Sequence, residues 1–224
     1  MRIVAPYRPF PPESDWHRET AASFDWIGAI GMMRHSAALA CGCSVDMLTD
    51  VDTVLPFPML RYQTYHRRLM LWSLEVSACF LASDDFDQNT VALDSDQLIF
   101  RSLTPWFQPE ADLTVLIRPR IDRSEGLNNM PILNGVQWWA YASRDRLVAF
   151  YRRALEVAIG LPEERIAWGA DTDALVQLLD PRDVGIHECW SSGCSSSTRS
   201  TRATCGSTCR RWRRSTWTLP TRRS

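Results

Sequence analysis

Thr90-Val91-Ala92-Leu93-Asp94-Ser95-Asp96-Gln97-Leu98-Ile99 reads as a short apolar strand that runs straight into two carboxylates one residue apart. In α/β sheets, ligands collect at the carboxyl ends of the strands, so a site belongs at this end. Residues two apart in extended chain project to the same side, so Asp94 and Asp96 are expected to converge. Together they suit one hard cation with oxygen ligands, Mg2+ or Mn2+. Such a cation can bridge a diphosphate and neutralise charge on a departing nucleoside diphosphate. The plainer reading is an acidic loop start, where aspartates cap turns and helices.

Outward from this stretch, strands and helices alternate. Upstream, residues 2–5 form a β-prone run stopped by Pro6, Pro9, Pro11 and Pro12. Residues 19–40 carry Phe24, Ile27, Ile30, Gly31, Met33 and Leu39 at helical spacing, closed near Gly42. Residues 44–50 alternate as a strand, and residues 62–82 place Leu69, Trp72, Val76 and Phe80 on one helical stripe. Downstream, the pattern predicts a strand over 113–117, another at 138–141, and helices over 144–159 and 172–179. Such alternation predicts an α/β protein: a mainly parallel sheet flanked by helices, a single domain over residues 1–188.

Composition supports a globular body. The 224 residues are 45% hydrophobic and 23% charged, and no apolar run approaches a membrane span. With no signal-peptide pattern at the N-terminus, a cytoplasmic protein is expected. Residues 1–188 hold all 26 acids and 17 of the 25 basic residues, a net charge of −9 that argues against a nucleic-acid partner. No lysine occurs anywhere, which excludes Schiff-base and P-loop lysine chemistry. Residues 189–224 differ sharply, with eight arginines, no acid and sixteen Ser or Thr. They lack any amphipathic period and so form no core. Either they are a basic disordered tail, or they stem from out-of-frame reading of GC-rich DNA, which would leave the domain incomplete at its C-terminal end. Cys41 and Cys43 read as small, partly buried residues; a zinc set from His187, Cys189, Cys205 and Cys209 is the weaker alternative.

Three segments in order resemble the nucleotide-diphospho-sugar transferases of the Rossmann-like GT-A fold, the glycosyltransferases with a DxD motif. The first is Val91-Ala92-Leu93-Asp94-Ser95-Asp96-Gln97-Leu98-Ile99-Phe100-Arg101-Ser102-Leu103. The second, Met130-Pro131-Ile132-Leu133-Asn134-Gly135-Val136-Gln137-Trp138-Trp139, is similar to the Asn-Gly segment beside the donor sugar. The third, Trp168-Gly169-Ala170-Asp171-Thr172-Asp173-Ala174-Leu175, resembles a segment whose acid faces sugar or acceptor.

The resemblance implies Asp96 as main metal ligand, with Asp94 on the metal or the donor ribose and Mn2+ or Mg2+ as cofactor. It implies Pro6, Tyr7, Ser95, Asn134 and Gly135 around a nucleotide-diphosphate sugar donor. Trp168 and Asp171 would meet sugar or acceptor hydroxyls, with Asp171 the candidate catalytic carboxylate and His187 the candidate third ligand. Each has a bland counterpart: Asn134-Gly135 is a good turn signal, Asp171 a helix cap, and Tyr7 a packing partner for the prolines. The function this implies is metal-dependent transfer of a sugar to an acceptor hydroxyl. A truncated α/β domain without activity is the alternative, and a nucleotidyltransferase the weaker one, since residues 5–9 lack the Gly-rich loop such enzymes carry.

Overall fold

The structure, a computed structural model, describes residues 1–9, 24–108, 110–117, 132–162, 166, 169–179 and 184–188, the last as backbone. Among these residues, seven strands form one sheet: β1 (Arg2–Pro6), β2 (Val45–Asp50), β3 (Met59–Tyr62), β4 (Thr90–Leu93), β5 (Leu113–Ile117), β6 (Ile132–Trp139) and β7 (Val184–Glu188). Their spatial order is β3-β2-β1-β4-β6-β5-β7. Pairing is parallel for β3-β2, β2-β1, β1-β4 and β5-β7; only β6 runs against its neighbours. From β1 the chain goes one way to β2 and β3, then returns to the other side of β1 for β4. The carboxyl ends of β1 and β4 therefore flank the point where strand order reverses, the place such sheets offer a ligand.

Alternation along the strands supplies two cores. Ile3 and Ala5 of β1 with Tyr7 just beyond it, Val45 and Met47 of β2, and Val91 and Leu93 of β4 pack against Ile30, Met33 and Ala37 of helix α1 (Trp26–Cys41). On the opposite face, Val4, Leu48 and Ala92 meet α2 (Leu69–Ala82), α3 (Arg144–Ile159) and α4 (Ala170–Leu178). Helix α2 is apolar nearly all round because it is wrapped by β-sheet on one side and by α3 and α4 on the other. No helix among the described residues is long and apolar enough to cross a membrane.

The mainly parallel α/β sheet flanked by helices matches the sequence expectation; several boundaries do not. Helix α1 starts at Trp26 because the Asp25 side chain accepts from the Gly28 N–H at 2.8 Å and caps it. Residues 19–23 of the expected helix lie outside the described residues. Tyr62 ends strand β3, paired with Asp50, and the following helix begins only at Leu69. Four residues after Pro58 are too few for a period of two to show against the helical stripe beyond. The strand expected at 138–141 instead spans Ile132–Trp139, since Tyr141–Ser143 turn into a 3-10 segment leading to α3. Strand β7 was not foreseen. The expected tail, residues 189–224, lies outside the described residues, as do Cys189, Cys205 and Cys209.

The loops at the carboxyl end of the sheet are tied down by buried charge. Glu75 of α2 is 8% exposed, and its carboxylate accepts from the backbone N–H groups of Tyr65 and His66 at 2.9–3.0 Å. The His66 carbonyl accepts from Arg8, whose Nε lies 3.3 Å from Asp50 and whose guanidinium sits over the Trp72 ring. Asp50 in turn accepts from the Thr53 N–H and hydroxyl. Glu75→Ala would leave two amide donors unsatisfied, a loss of about 2–4 kcal/mol. Urea unfolding should show a lower midpoint at unchanged slope.

Candidate active site

The β4 strand ends at Leu93, and the chain turns at once. The Gln97 N–H donates to the Asp94 carbonyl at 3.2 Å, so residues 94–97 form a turn. This corrects the reasoning by which Asp94 and Asp96 were expected to converge: the turn sets their relation, not the side-to-side alternation of an extended strand. Asp96 and Ser95 ride on that turn, Asp96 exposed and Ser95 half-buried.

Strand β6 brings Asn134 and Gly135 to the same place through a bulge. Consecutive residues Val115 and Leu116 of β5 oppose Gln137 and Leu133 of β6, so residues 134–136 are extra on the β6 side. The parity of the strand flips there: Trp139 and Ile132, seven residues apart, both reach the α2–α4 face. Asn134-Gly135 is thus a mid-strand bulge and not the hairpin turn that the dipeptide also suggests. On its other edge, the Gly135 carbonyl accepts from the Asp94 N–H at 2.9 Å. A Cβ on Gly135 would lie 2.6 Å from Asp94 Oδ2, so the Asp94 carboxylate rests directly on the glycine. Only a residue without a side chain leaves it there.

Asp171 comes from the first turn of α4, which begins after Gly169 at φ 89°. It lies within the helix and does not cap it from outside, although its Oδ1 accepts from the Thr172 N–H at 2.8 Å. Its Oδ2 accepts from Asn134 Nδ2, also at 2.8 Å. Asn134 and Gly135 therefore join Asp171 to Asp94 across the mouth of the sheet. Burial pushes the Asp171 carboxyl up to about 6, against the opposing pull of its hydrogen bonds from Thr172 and Asn134. Desolvation also pushes Asp94 up to about 7, helped by the like charges of Asp96 and Asp171. Solvent reaches Asp94 from the open side, which returns part of its hydration and moderates that shift. The charges of Asp96 and Asp171 are both felt at Asp94.

At the β1 end, Pro6 closes the strand opposite Leu48, and the Tyr7 N–H continues the ladder to the Leu48 carbonyl at 2.9 Å. Tyr7 is only 9% exposed and packs beside Trp26, so its ring belongs to the core under the site. His187 pairs with Leu116 in β7, and its side chain lies outside the described residues. Trp168 lies outside them altogether.

By sequence, no protein-family model and no curated protein matches this chain. By structure it is similar to a glycosyltransferase involved in the glycosylation of the major capsid of PBCV-1, at 11% identity and TM-score 0.52, covering 84% of this chain and 81% of that one. It is similar to glycosyltransferase GlyE of Streptococcus pneumoniae TIGR4, at 12% identity and TM-score 0.54, over 83% of this chain but 44% of that one. The galactosyltransferase LgtC, solved with donor and acceptor sugar analogs, matches at 14% identity and TM-score 0.54, over 83% and 73%. The chain has the GT-A fold. At such identities the likeness concerns architecture, and what a GT-A domain does must be argued from its site.

For the cation that GT-A enzymes commonly use, the donor set fits. Among the described residues no three His, Cys, Asp or Glu side chains form a ready metal cluster. The turn offers two carboxylates and an open side, which suits a hard cation completed by phosphate oxygens and water. Beside desolvation, the like charges of Asp96 and Asp171 raise Asp94, and such an ion would offset that repulsion.

Sequence reasoning missed two residues of this site. Gln137 accepts from Trp139 Nε1 at 3.2 Å and from the Tyr151 hydroxyl, and donates to Asn134 Oδ1. The available signal was a lone amide between Val136 and Trp138 in an apolar run, where a buried polar group needs partners. Tyr151 carried no signal, because its helical spacing reads as ordinary core.

Proposed function

We propose that this chain is a glycosyltransferase that uses a divalent cation, Mn2+ or Mg2+, and a nucleotide-diphosphate sugar. What carries the reading is the meeting of Asp94, Asp96, Asn134, Gly135 and Asp171 at the reversal point of a GT-A sheet. That the LgtC structure holds donor and acceptor sugar analogs supports sugar substrates for the same architecture.

In this reading Asp94 and Asp96 hold the cation from the turn after β4. The cation supplies charge neutralisation to the departing diphosphate. Gly135 lets Asp94 lie low enough to leave space above it, and Asn134 lines the donor sugar. Asp171, fixed on two sides by Thr172 N–H and Asn134, keeps acceptor capacity for sugar or acceptor hydroxyls. As a buried carboxylate with a raised pKa it is also the candidate to take a proton from an attacking hydroxyl. Pro6, Tyr7 and Ser95 border the nucleotide, Trp168 the acceptor, and residues 1–188 make up the transferase domain.

Incubation with UDP-, GDP- and ADP-hexoses plus manganese tests this by release of nucleoside diphosphate. Release from one donor, stopped by EDTA, is expected. Asp96→Ala should lower that release at least about a hundredfold while melting almost unchanged, because an exposed turn carboxylate adds within about 0.5 kcal/mol to stability. Equal release by Asp96→Ala would remove the metal assignment.

A further inference from the structure

We propose that Gln137, backed by Tyr151, is a positioning residue for the sugar site: it locks the Asn134 amide in the one orientation that donates to Asp171. The inference rests on the transferase reading above and assigns the site a support that the residues around the donor do not themselves supply.

The observation is a chain of hydrogen bonds in which every donor points the same way. Trp139 Nε1 donates to the Tyr151 hydroxyl at 2.9 Å. Tyr151 donates to Gln137 Oε1, and Gln137 Nε2 donates to Asn134 Oδ1. Asn134 Nδ2 then donates to Asp171 Oδ2 at 2.8 Å. The direction is fixed by the two ends. An indole N–H can only donate, and an ionised carboxylate can only accept. Two amides and a phenol between them have one arrangement that satisfies all five groups, so neither amide is free to flip. Burial keeps the Tyr151 hydroxyl protonated and therefore a donor.

The inner part of the chain is also buried away from competing water. Trp139 is 1% exposed, Tyr151 2% and Gln137 6%. Gln137 Nε2 has a second acceptor in the Asn134 carbonyl at 3.3 Å, so the same side chain holds both the backbone of the bulge and the amide it carries. Helix α3 thereby reaches the site through Tyr151. A core built only for stability has no need of polar groups here, since apolar residues of similar volume would fill it without the risk of an unpaired donor. The polar chain makes sense as a means of aiming Asn134 and Asp171.

Gln137→Glu tests this with the shape kept and the donor removed. A carboxylate at 137 accepts where Gln137 donated, so Asn134 turns its amide toward residue 137 and its carbonyl toward Asp171. Asp171 then loses its Asn134 donor. Release of nucleoside diphosphate from the hexose nucleotides with manganese, by attack of water on the anomeric carbon with cleavage of its bond to the diphosphate, is the readout. The expected result is a kcat about a hundredfold lower, with the dissociation constant of the free nucleoside diphosphate unchanged. Tyr151→Phe should lower kcat by a smaller factor than Gln137→Glu, because the hydroxyl's support is lost while Trp139 Nε1 still reaches Gln137 Oε1 at 3.2 Å and keeps the direction. If Gln137→Glu does not fold, Gln137→Met replaces it, with at least about a tenfold loss of kcat expected at unchanged nucleotide affinity. Wild-type kcat in whichever Gln137 variant folds overturns the positioning role. A loss of nucleotide affinity equal to the loss of rate also overturns it, since that marks general damage. A wild-type protein that neither binds nor hydrolyses any of these donors sinks the transferase reading itself, and this inference with it.

Discussion

Gly135→Ala is expected to cost little stability and nearly all metal-dependent activity. The new Cβ would sit 2.6 Å from Asp94 Oδ2 and 3.2 Å from both Asp94 Cγ and Gln97 Nε2. All of these are side-chain atoms and Asp94 is exposed to solvent, so the fold relieves the clash by rotating the carboxylate away. The backbone bond from Asp94 N–H to the Gly135 carbonyl needs no change. Stability should therefore fall by less than about 1 kcal/mol. The rotated carboxylate no longer shares a cation with Asp96, and a displacement of about 1 Å at such a site costs about a hundredfold in rate. Parallel measurement of the urea midpoint and of nucleoside diphosphate release separates the two effects. A large loss of stability with activity per folded molecule intact would show that the glycine serves the strand and not the carboxylate.

The raised carboxyls set the direction of a pH dependence. Burial holds the proton on Asp171 up to about 6 in the folded protein, and desolvation with the neighbouring acids raises Asp94 toward about 7, less the part that its solvent-exposed side returns. An unfolded chain releases both near 4. Between these values the folded state binds more protons, so stability from this cluster is fully present below about pH 4 and is lost as pH rises through 6 and 7. For buried Asp171 alone the loss is about 3 kcal/mol. In melting curves from pH 4.5 to 8, Asp94→Asn should gain on the wild-type protein as pH rises, since one of the repelling charges is gone. All other titrating groups are common to the two proteins, so the difference isolates the cluster. Manganese should reverse the trend, stabilising the wild-type protein more at pH 7.5 than at pH 5.5, where a proton on Asp94 competes with the ion. A constant gap between the two proteins at all pH values would contradict the coupling among Asp94, Asp96 and Asp171.

The strand-and-acid unit at residues 90–96 was legible because three apolar residues and two acids have few other uses side by side. Helix α3 was legible to the residue, since Arg144–Ile159 carries its apolar and charged faces in plain helical register. Strand β3 was not, because four residues at a sheet edge show no period. The bulge at 134–136 was hidden for a different reason. Asn-Gly is a turn signal in isolation, and only pairing with β4 on one side and β5 on the other makes it a strand interior. Asp171 was found as an acid near a helix start, but its bond to Asn134, 37 positions away in sequence, follows from tertiary packing. The relay through Gln137 and Tyr151 is of the same kind: each residue is ordinary in sequence and acquires meaning from its partners.

Thermal melting of the protein with UDP, GDP, ADP or CMP, with and without manganese, tests the central claim most directly. A ligand at about 100 times its dissociation constant adds about 2.7 kcal/mol, well within reach of a melting curve. The account predicts a shift with a nucleoside diphosphate that requires manganese and disappears in Asp96→Ala. A cooperatively melting protein that none of these nucleotides shifts, with manganese present, would contradict it.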